Sequence, residues 1–382
     1  MMIGKNSDRE RHLIYSTVVI TVLFIFGIYN FVINTPETKK FAEIKEILNN
    51  NYYVPLDQNR LTEGAISGMV DSIGDKYTQY LNKEDWDKRK KIFAGEYTGI
   101  GITYNQISDG SLEIKKVVAN SPAFKADLKV GDIITKLDGI KFTKDIDAKK
   151  MFSDSVKPAY DLTIFRPSTK ATFNKSISKE IIDEVNVTSR MIKEGIGYIR
   201  IAQFDDTISS EFKSNFESLK QKNMKTLILD VRDDPGGSLE QVIEICDFLL
   251  PKCTIVSVKG KNTDEKFYYS DDKGETLPIK VLTNENSASA SEVLSAALHD
   301  NNRAKLIGTK TYGKGLVQNY VELSDGSAIY YTEARYFTPK GICIHGIGIE
   351  PDIKVENPKK FDDIDISEIP AAEDAQLQAA LR

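Results

Sequence analysis

The first apolar stretch of the chain, residues 13–33, contains no charged residue and is long enough as a helix to cross a hydrocarbon core of about 30 Å. Lys5, Arg9 and Arg11 precede it, so the positive-inside tendency predicts that residues 1–12 are cytoplasmic and that the rest of the chain is extracytoplasmic. We favour an uncleaved single-pass anchor over a signal peptide, because no small-x-small cleavage site follows. A buried core helix is the alternative interpretation.

Two further patterns follow the anchor. Helical periodicity, broken by a turn at Val54-Pro55, predicts a helical N-terminal region over residues 34–82. Short strands around an Asp109-Gly110 turn and a Pro-initiated helix at 122–128 then predict a compact β-rich module within residues 83–170. Charged sequence on either side of this module reads as linker.

From about residue 186 to 355, apolar runs of strand length alternate with amphipathic helices. This alternation is typical of parallel β-α-β units, and it predicts an α/β core within residues 171–358. A functional site is expected at the carboxyl ends of the strands. The last segment, 359–382, is acidic and then rich in Ala and Leu, which is compatible with a terminal helix or a loose tail. The predicted fold class is therefore a multidomain mixture of α/β and β structure.

Composition excludes several classes of function. Hydrophobic residues make up 41% and charged residues 28% of the 382 residues, which is the composition of a packed globular protein. The net charge of −5, without a long basic stretch, argues against nucleic acid as a partner. Three cysteines without C-x-x-C spacing and three dispersed histidines indicate neither a disulfide framework nor a metal site. No cofactor is expected.

A cluster of small residues, NENSASASEVLSAAL over 284–298, lies between a predicted strand and a predicted helix. A serine in such a turn is accessible, and amides at a helix N-terminus can stabilise the oxyanion that an acyl-transfer nucleophile generates. The alternative is ordinary helix capping, because serine is a preferred N-cap and Ser287, Ser289 and Ser291 all lie at the helix start.

A second motif, GTKTYGKGLVQNYVEL over 308–323, encloses Lys314 between two glycines. It fits the P-loop pattern G-x-x-x-x-G-K but fails at Gly315, where Ser or Thr should bind magnesium, and β-prone sequence replaces the required helix. A lysine enclosed by apolar strands has a lowered pKa and can act as a base. Gln318, four residues on and on the same face of a strand, could hold its amine. A solvated loop charge is the alternative.

The third motif, LILDVRDDPGGSLEQV over 227–242, is an apolar strand that ends in Pro235-Gly236-Gly237 before a helix. Paired glycines let backbone amides approach a ligand closely, which suits an oxyanion hole. An ordinary tight β-α turn explains the same residues equally well.

In this order, the three motifs resemble those of the carboxyl-terminal processing peptidases, or tail-specific proteases, a family of Ser-Lys serine proteases. The family's S-A-S-A-S-E block is found at 287–292 and its T-[FY]-G-K-G-x-[VS]-Q block at 311–318. The family's serine and lysine are 25 residues apart, as are Ser289 and Lys314. The stretch GICIHGIGIEPDI at 341–353 is similar to the family's G-x-x-I-x-G-x-G-I-x-P-D ending.

The resemblance implies a ClpP/crotonase-like α/β protease core with an inserted PDZ domain, working without a cofactor. It also implies a role for each matched residue. Ser289 would be the nucleophile, Lys314 the general base and Gln318 its orienting partner, and the amides of Ala290 and of Gly236 or Gly237 would bind the oxyanion.

The β-rich module is similar to a PDZ domain, and Gly99-Ile100-Gly101-Ile102 resembles the carboxylate-binding loop of that domain. Such a loop captures a free carboxyl terminus while the bound tail adds a strand to the sheet edge. The resemblance therefore implies protein or peptide substrates with accessible C-termini and a PDZ domain that gates activity. Arg166 is a candidate for the contact with the catalytic domain. A homodimer and a regulatory protein partner stay open.

The chain departs from the family pattern at two positions. Lys76 occupies the usual proline of D-P-Y-[ST], and Asp234 replaces the usual asparagine before Pro-Gly-Gly, which bears on the geometry of the oxyanion turn.

Two rival functions stay open at this point. One is a Ser-His-Asp protease that uses His345 and Asp352; His299 is poorer, since ten residues of helix put it about 15 Å from Ser289. The other is a non-catalytic PDZ scaffold or chaperone at the membrane surface.

Overall fold

The computed structural model describes residues 14–15, 17–21, 35–93, 96–118, 120–154, 158–183, 185–361 and 364–382. The chain divides into two compact units, Met1–Gly74 and Asp75–Arg382. Most of the predicted anchor, residues 13–33, lies outside the described residues, although 14–15 and 17–21 are helical. Of the helices described, none is both long and apolar enough to cross a membrane.

The first unit contains the two predicted helices, α1 (Pro36–Asn51) and α2 (Gln58–Asp71). The Thr35 side chain caps α1 by accepting from the Thr38 amide, and the Asp57 side chain caps α2. The two helices lie on either side of Pro55, where the sequence predicted a break, but residues 79–81 of the predicted helical region 34–82 form a strand.

The second unit opens with a short strand and a helix, β1 (Gln79–Leu81) and α3 (Lys83–Phe93). The linker-like interpretation of the sequence before the β-rich module was therefore wrong here. Charged residues dominate α3, but its Trp86 is fully buried and donates to Glu322 at 2.9 Å. One buried aromatic is enough to anchor a helix whose charge pattern suggests exposure.

The elements of the β-rich module are β3 Ile102–Gln106, β4 Leu112–Val117, α4 Pro122–Lys125, β5 Ile133–Leu137, β6 Ile140–Lys141, α5 Ala148–Asp154, β7 Ala159–Arg166 and β8 Ala171–Ser178. Its strands form an antiparallel sheet of order β3-β4-β5-β7-β8, with β6 paired to β5. The turn at Asp109-Gly110 and the Pro-initiated helix are where they were predicted. Because β8 pairs with β7 along its length, the sheet continues past residue 170. The sequence of β8 is mostly polar and nearly all exposed, so it was mistaken for linker.

A two-stranded ribbon of β2 (Glu96–Gly99) and β9 (Glu180–Asp183) flanks this module. The two strands lie on opposite sides of the module in sequence, so their pairing brings its entry and exit together. This arrangement is that of a domain inserted into the chain.

The strands and helices of the α/β core are β10 Val187–Lys193, β11 Ile196–Ile201, α6 Ile208–Gln221, β12 Thr226–Asp230, α7 Leu239–Leu249, β15 Ile279–Thr283, α8 Ala290–Asp300, β16 Ala304–Gly308 and β19 Ile353–Lys354. The strands form a six-stranded sheet of order β10-β11-β12-β15-β16-β19, parallel except at β10. The central strands are almost entirely buried, as their continuous apolar runs predicted, and helices α6, α7 and α8 contribute apolar residues to the same core.

A second sheet in this unit has the order β1-β18-β13-β14, with β17 paired to β18. Its remaining strands are β13 Thr254–Gly260, β14 Lys266–Tyr269, β17 Leu316–Glu322 and β18 Ala328–Phe337. The long strand β18 pairs with three others, which fixes β17, and hence the loop before it, relative to the rest of the unit.

The C-terminal segment forms two 3-10 turns, Lys359–Phe361 and Ile366–Glu368, and helix α9 (Ala375–Ala380). Leu377 and Ala380 of α9 are buried in a cluster with apolar residues of the parallel sheet. The buried Arg232 guanidinium joins Asp374 at 2.8 Å and Asp230 at 2.6 Å. Of the two alternatives for this segment, the docked helix is the one formed.

Candidate active site

The predicted nucleophile, Ser289, lies at the sharp turn between β15 and α8, at the carboxyl end of a central parallel strand. Its backbone has φ 57° and ψ −113°, whereas the other described non-glycine residues with positive φ are Asn, Asp and one Lys. Such a conformation costs of order 1–3 kcal/mol and is found where a side chain must be exposed at a turn. The side chain is half-buried, while Ser287 and Ser291 are fully buried.

Ser287 and Ser291 have structural roles. The Ser287 hydroxyl donates to the Val231 carbonyl at 2.7 Å, and the Ser291 hydroxyl donates to the Asp234 carbonyl at 3.1 Å. Both tie the nucleophile segment to the end of β12. Of the three candidate serines, Ser289 is the one whose side chain these bonds leave uncommitted.

The Glu292 carboxylate connects the serine turn to the lysine loop. One oxygen accepts from the amides of Ser289 at 3.0 Å and Lys314 at 2.8 Å. The other accepts from the Thr311 hydroxyl at 2.6 Å and the Gly313 amide at 2.7 Å. Because the Ser289 and Lys314 nitrogens share one acceptor oxygen, they are at most about 5.8 Å apart. Four donors compensate for the burial of this charge.

The buried Tyr336 hydroxyl performs a similar bridging role on the carbonyl side. It lies within hydrogen-bonding distance of the Lys314 carbonyl and 3.2 Å from the Ser289 carbonyl. Sequence reasoning missed Tyr336, because an aromatic residue in a strand looks like ordinary core. Glu292 was visible in the S-A-S-A-S-E block, but its contacts with a loop about 20 residues away were not.

Lys314 lies two residues before β17, in the glycine-flanked loop. Its amine is 4.9 Å from the centroid of the Tyr77 ring. Burial lowers the pKa of Lys314; Arg89 and Lys76 act in the same direction, whereas Tyr312 and Glu292 oppose them. Within the described part of the chain, no hydrogen bond joins this amine to the Ser289 hydroxyl.

The expectation that Lys314 and Gln318 lie on one face of a strand was wrong. Lys314 precedes β17, and the pairing of β17 with β18 shifts register between Val317 and Gln318, so a two-residue alternation does not connect the two side chains. The Gln318 amide nitrogen is buried and has no hydrogen-bond partner among the described residues. Such an orphan donor is costly and marks a site that awaits a partner or a rearrangement.

The Pro235-Gly236-Gly237 turn lies directly against the nucleophile. A Cβ atom on Gly236 would come within 2.7 Å of the Ser289 Cβ and 2.8 Å of the Ala290 nitrogen, and Gly236 has φ 94°. Only glycine fits here. The Gly236 amide donates to Asp234 at 2.8 Å, whereas the amides of Gly237 and Ala290 donate to no acceptor in the described ranges. Of the two predicted candidates for the oxyanion donor, Gly236 and Gly237, the one with a free amide among the described residues is therefore Gly237.

The predicted carboxylate-binding loop, Gly99 to Ile102, connects β2 to β3. The carbonyls of Ile100 and Gly101 accept from Ala123 and Val118. The amides of Ile100 and Gly101 have no backbone acceptor among the residues described, and Gly101 has φ 76°. The loop thus presents two free donors beside the start of an antiparallel strand.

Arg166, the candidate gating residue, is engaged inside the β-rich module. Its guanidinium binds both carboxylate oxygens of Asp132 at 2.7 and 2.8 Å, donates to the Asp127 carbonyl at 2.7 Å and lies over the Phe173 ring. Its described contacts do not include the predicted one with the α/β core.

The rival His345–Asp352 pair is not assembled. Asp352 accepts from the Leu306 amide at 2.8 Å and lies 3.2 Å from Lys305 and 3.6 Å from His299. The His345 ring instead packs near Tyr77. Among the described residues, no cluster of His, Cys, Asp or Glu could hold a metal ion.

An elbow serine at the end of a parallel strand, a half-buried lysine whose backbone amide bonds to the same carboxylate as the serine amide, and a separate antiparallel module are the features of a PDZ-containing serine peptidase. Three family descriptions match the chain: Peptidase family S41 at residues 195–355, PDZ domain at 98–176 and activating protease CtpB N-terminal domain at 30–85.

Known proteins with high similarity agree. The chain is 32% identical over 378 residues to a "probable CtpA-like serine protease" of Staphylococcus aureus strain COL, covering 93% of this chain and 75% of the relative. It is 33% identical over 329 residues to the corresponding Staphylococcus haemolyticus protein, covering 85% of this chain and 66% of the relative. The solved photosystem II D1 C-terminal processing protease is 26% identical, with a TM-score of 0.54 over 83% of this chain and 86% of that one.

The chain belongs to the CtpA-like, carboxyl-terminal processing serine proteases of peptidase family S41. The predicted family, the mixed α/β multidomain fold with a PDZ domain and the serine endopeptidase class are confirmed.

Proposed function

We propose that this protein is a membrane-anchored, extracytoplasmic endopeptidase that cleaves protein substrates near their carboxyl termini, with Ser289 as nucleophile and Lys314 as general base. The observation that carries the proposal is that Glu292 and Tyr336 each contact the backbones of both Ser289 and Lys314, and so hold these two residues side by side. The bond from the Ser289 amide to Glu292 is also the one that a helix capping box forms. Helix capping alone does not explain why the same carboxylate accepts from the Lys314 amide and why Tyr336 reaches the carbonyls of both residues.

In the proposed reaction, neutral Lys314 accepts the hydroxyl proton of Ser289 as the oxygen attacks a peptide carbonyl. The amides of Ala290 and Gly237 stabilise the oxyanion of the tetrahedral intermediate, and the start of α8 contributes a favourable dipole. Protonated Lys314 then returns the proton to the leaving amine. The acyl-enzyme that remains is hydrolysed by water, which Lys314 activates in the same way. This chemistry requires no cofactor.

The PDZ domain is the proposed recognition element for a free carboxyl terminus. The amides of Ile100 and Gly101, which have no acceptor among the described residues, can donate to a carboxylate, and the neighbouring strand offers an edge for the tail. The sequence supports an extracytoplasmic position for this domain, because Lys5, Arg9 and Arg11 precede an uncharged apolar run at 13–33. The substrates are therefore extracytoplasmic protein tails. This proposal is compatible with a homodimer and with a regulatory partner, but it does not depend on either.

Substitution of either dyad residue tests the mechanism. Ser289→Ala and Lys314→Ala should each lower kcat/KM on an unfolded tailed substrate by at least about 10³-fold, because each removes a participant in proton transfer or bond formation. Lys310→Ala is the matched control, since Lys310 lies in the same loop but forms a surface ion pair with Glu350. Near-normal turnover by Lys314→Ala would refute the dyad.

Substrate recognition is tested by comparing one peptide with a free and an amidated carboxyl terminus. Amidation should raise KM roughly 10-fold or more, because it removes charge-assisted hydrogen bonds to the loop amides. The effect should disappear for the protein without a functional loop, such as Gly101→Pro. Equal cleavage of both peptides by the unmodified protein would separate the PDZ domain from tail recognition.

A further inference from the structure

Asp234 is a completely buried carboxyl group between the glycine turn and the nucleophile segment. One side-chain oxygen accepts from the Gly236 amide at 2.8 Å. Its backbone carbonyl accepts from the Ala288 amide at 2.9 Å and from the Ser291 hydroxyl at 3.1 Å. A single residue thus holds the glycine turn on one side and the residues flanking Ser289 on the other.

The other carboxyl oxygen of Asp234 has no hydrogen-bond partner among the described residues. In the part of the chain that the structure describes, no cation pairs with it: Arg232 is bound to Asp230 and Asp374, and Arg200 donates to the Arg232 carbonyl. A buried carboxylate with one donor and no counter-ion is expensive, whereas a neutral carboxylic acid leaves only a hydroxyl unpaired.

The charges around Asp234 come from each element packed against it. The Gly236 amide, the Ser291 hydroxyl on α8 and, more weakly, Arg200 on β11 favour its ionised form, whereas Asp230 on β12 opposes it. Burial outweighs these influences and raises the pKa of Asp234 to about 8. The group is therefore mainly protonated at neutral pH.

We propose that Asp234 is a positioning residue that orients the oxyanion turn as a neutral acid, and that its ionisation sets an alkaline limit on proteolysis. Ionisation would keep the bond to the Gly236 amide but place a negative charge one residue away from Gly237 and next to the segment that carries Ala290, close to where the oxyanion develops. Like charges in a buried site repel strongly enough to slow the reaction roughly 10- to 100-fold. The inference rests on the proposed oxyanion site.

The first test compares kcat/KM of wild type and Asp234→Asn from pH 6 to pH 10. Asparagine preserves the acceptor for Gly236 and cannot ionise, so the ratio of variant to wild type should rise roughly 10-fold or more through about pH 8. Asp233→Asn is the matched control, because Asp233 is the adjacent residue and bonds instead to Asn284 and Asn286. Its ratio should stay flat. A flat ratio for Asp234→Asn would overturn the proposal.

A second test needs no turnover and no substitution at Asp234. In full-length Ser289→Ala protein labelled with ¹³C-aspartate, infrared spectroscopy should show a protonated carboxyl band at pH 7 that disappears as pH rises through about 8. Absence of this band at pH 7 would overturn the proposal even if Asp234→Asn failed to fold. Because Ser289→Ala is inactive only if the proposed dyad is correct, its residual activity reports separately on the proposed function.

Discussion

The two sides of the active site are assembled to different degrees. On the nucleophile side, Ser289 is fixed at its elbow, and the amides of Ala290 and Gly237 have no acceptor among the described residues. On the lysine side, the backbone of Lys314 is held equally well, but its amine rests over the Tyr77 ring. The buried amide nitrogen of Gln318, the predicted partner of Lys314, has no hydrogen-bond partner in the described part of the chain.

This difference separates what the fold determines from what a side chain can change. Backbone hydrogen bonds and glycine contacts fix the nucleophile and the oxyanion turn, and moving them would break several bonds at once. The lysine amine needs only to leave an aromatic face, a contact that contributes about 1 kcal/mol. Binding of a substrate can supply that free energy, so we expect the dyad to close on the substrate complex.

The largest effect is expected from the carboxylate of Glu292, which bonds to both sides of the active site. Glu292→Gln replaces one of two acceptor oxygens with a donor that faces backbone N–H groups, so it should loosen both sides together and lower kcat roughly 100-fold. Glu285→Gln is the matched control, because Glu285 is exposed and its carboxylate accepts, among the described residues, only from the Thr309 hydroxyl.

The measurement for Glu292→Gln is steady-state kinetics together with labelling of Ser289 by a fluorophosphonate. Loss of turnover and of labelling in parallel would mean that the serine and the lysine depend on one anchor. Activity within threefold of wild type would show that the two sides are held independently.

A smaller effect is expected from Gln318. If Gln318 orients Lys314 in the substrate complex, Gln318→Ala should lower kcat roughly 10-fold and leave KM nearly unchanged. If its role is only structural, removal of an unpaired buried amide should leave kcat intact and raise the melting temperature. Asn319→Ala, at the neighbouring exposed position, controls for damage to β17.

The smallest effect concerns the charge next to the base. Protonated Lys314 cannot accept the serine proton, so activity should fall as pH drops through its lowered pKa. Lys76 contributes to that lowering, and its amine and that of Lys314 lie 4.9 Å from the same Tyr77 centroid. Lys76→Met should therefore raise the pKa of Lys314 and move the acid limb up by about 0.5 pH unit. Lys310→Met should leave it in place.

The parallel core was predictable because its strands are buried on both faces and read as continuous apolar runs. The same logic located Ser289 in the turn after β15. The glycines at 236–237 predicted a close approach of backbone amides to a ligand; what the structure shows is that Gly236 lies against Ser289 and Ala290. Exposed elements were harder to predict. Helix α3 is charged and strand β8 is polar and exposed; α3 is anchored by one buried aromatic, Trp86, and β8 by its pairing with β7.

Details of the site depended on contacts that no local pattern reveals. The Gly236 amide is occupied because the Asp234 side chain turns back to it, which favours Gly237 as the oxyanion donor. Because the strand register shifts between Val317 and Gln318, the four-residue spacing does not put Lys314 and Gln318 on one face of a strand. Tyr336 reaches the site because its strand, β18, pairs with β17, which directly follows the loop that carries Lys314.

The most direct test of the central claim is a crystal structure of the wild-type protein with a peptide boronic acid. The account predicts boron bonded to the Ser289 oxygen, one boronate oxygen facing the amides of Ala290 and Gly237, and the Lys314 amine about 3 Å from the Ser289 oxygen. Boron attached to another residue would contradict it. So would a Lys314 amine that stays against the Tyr77 ring, without contact to the adduct.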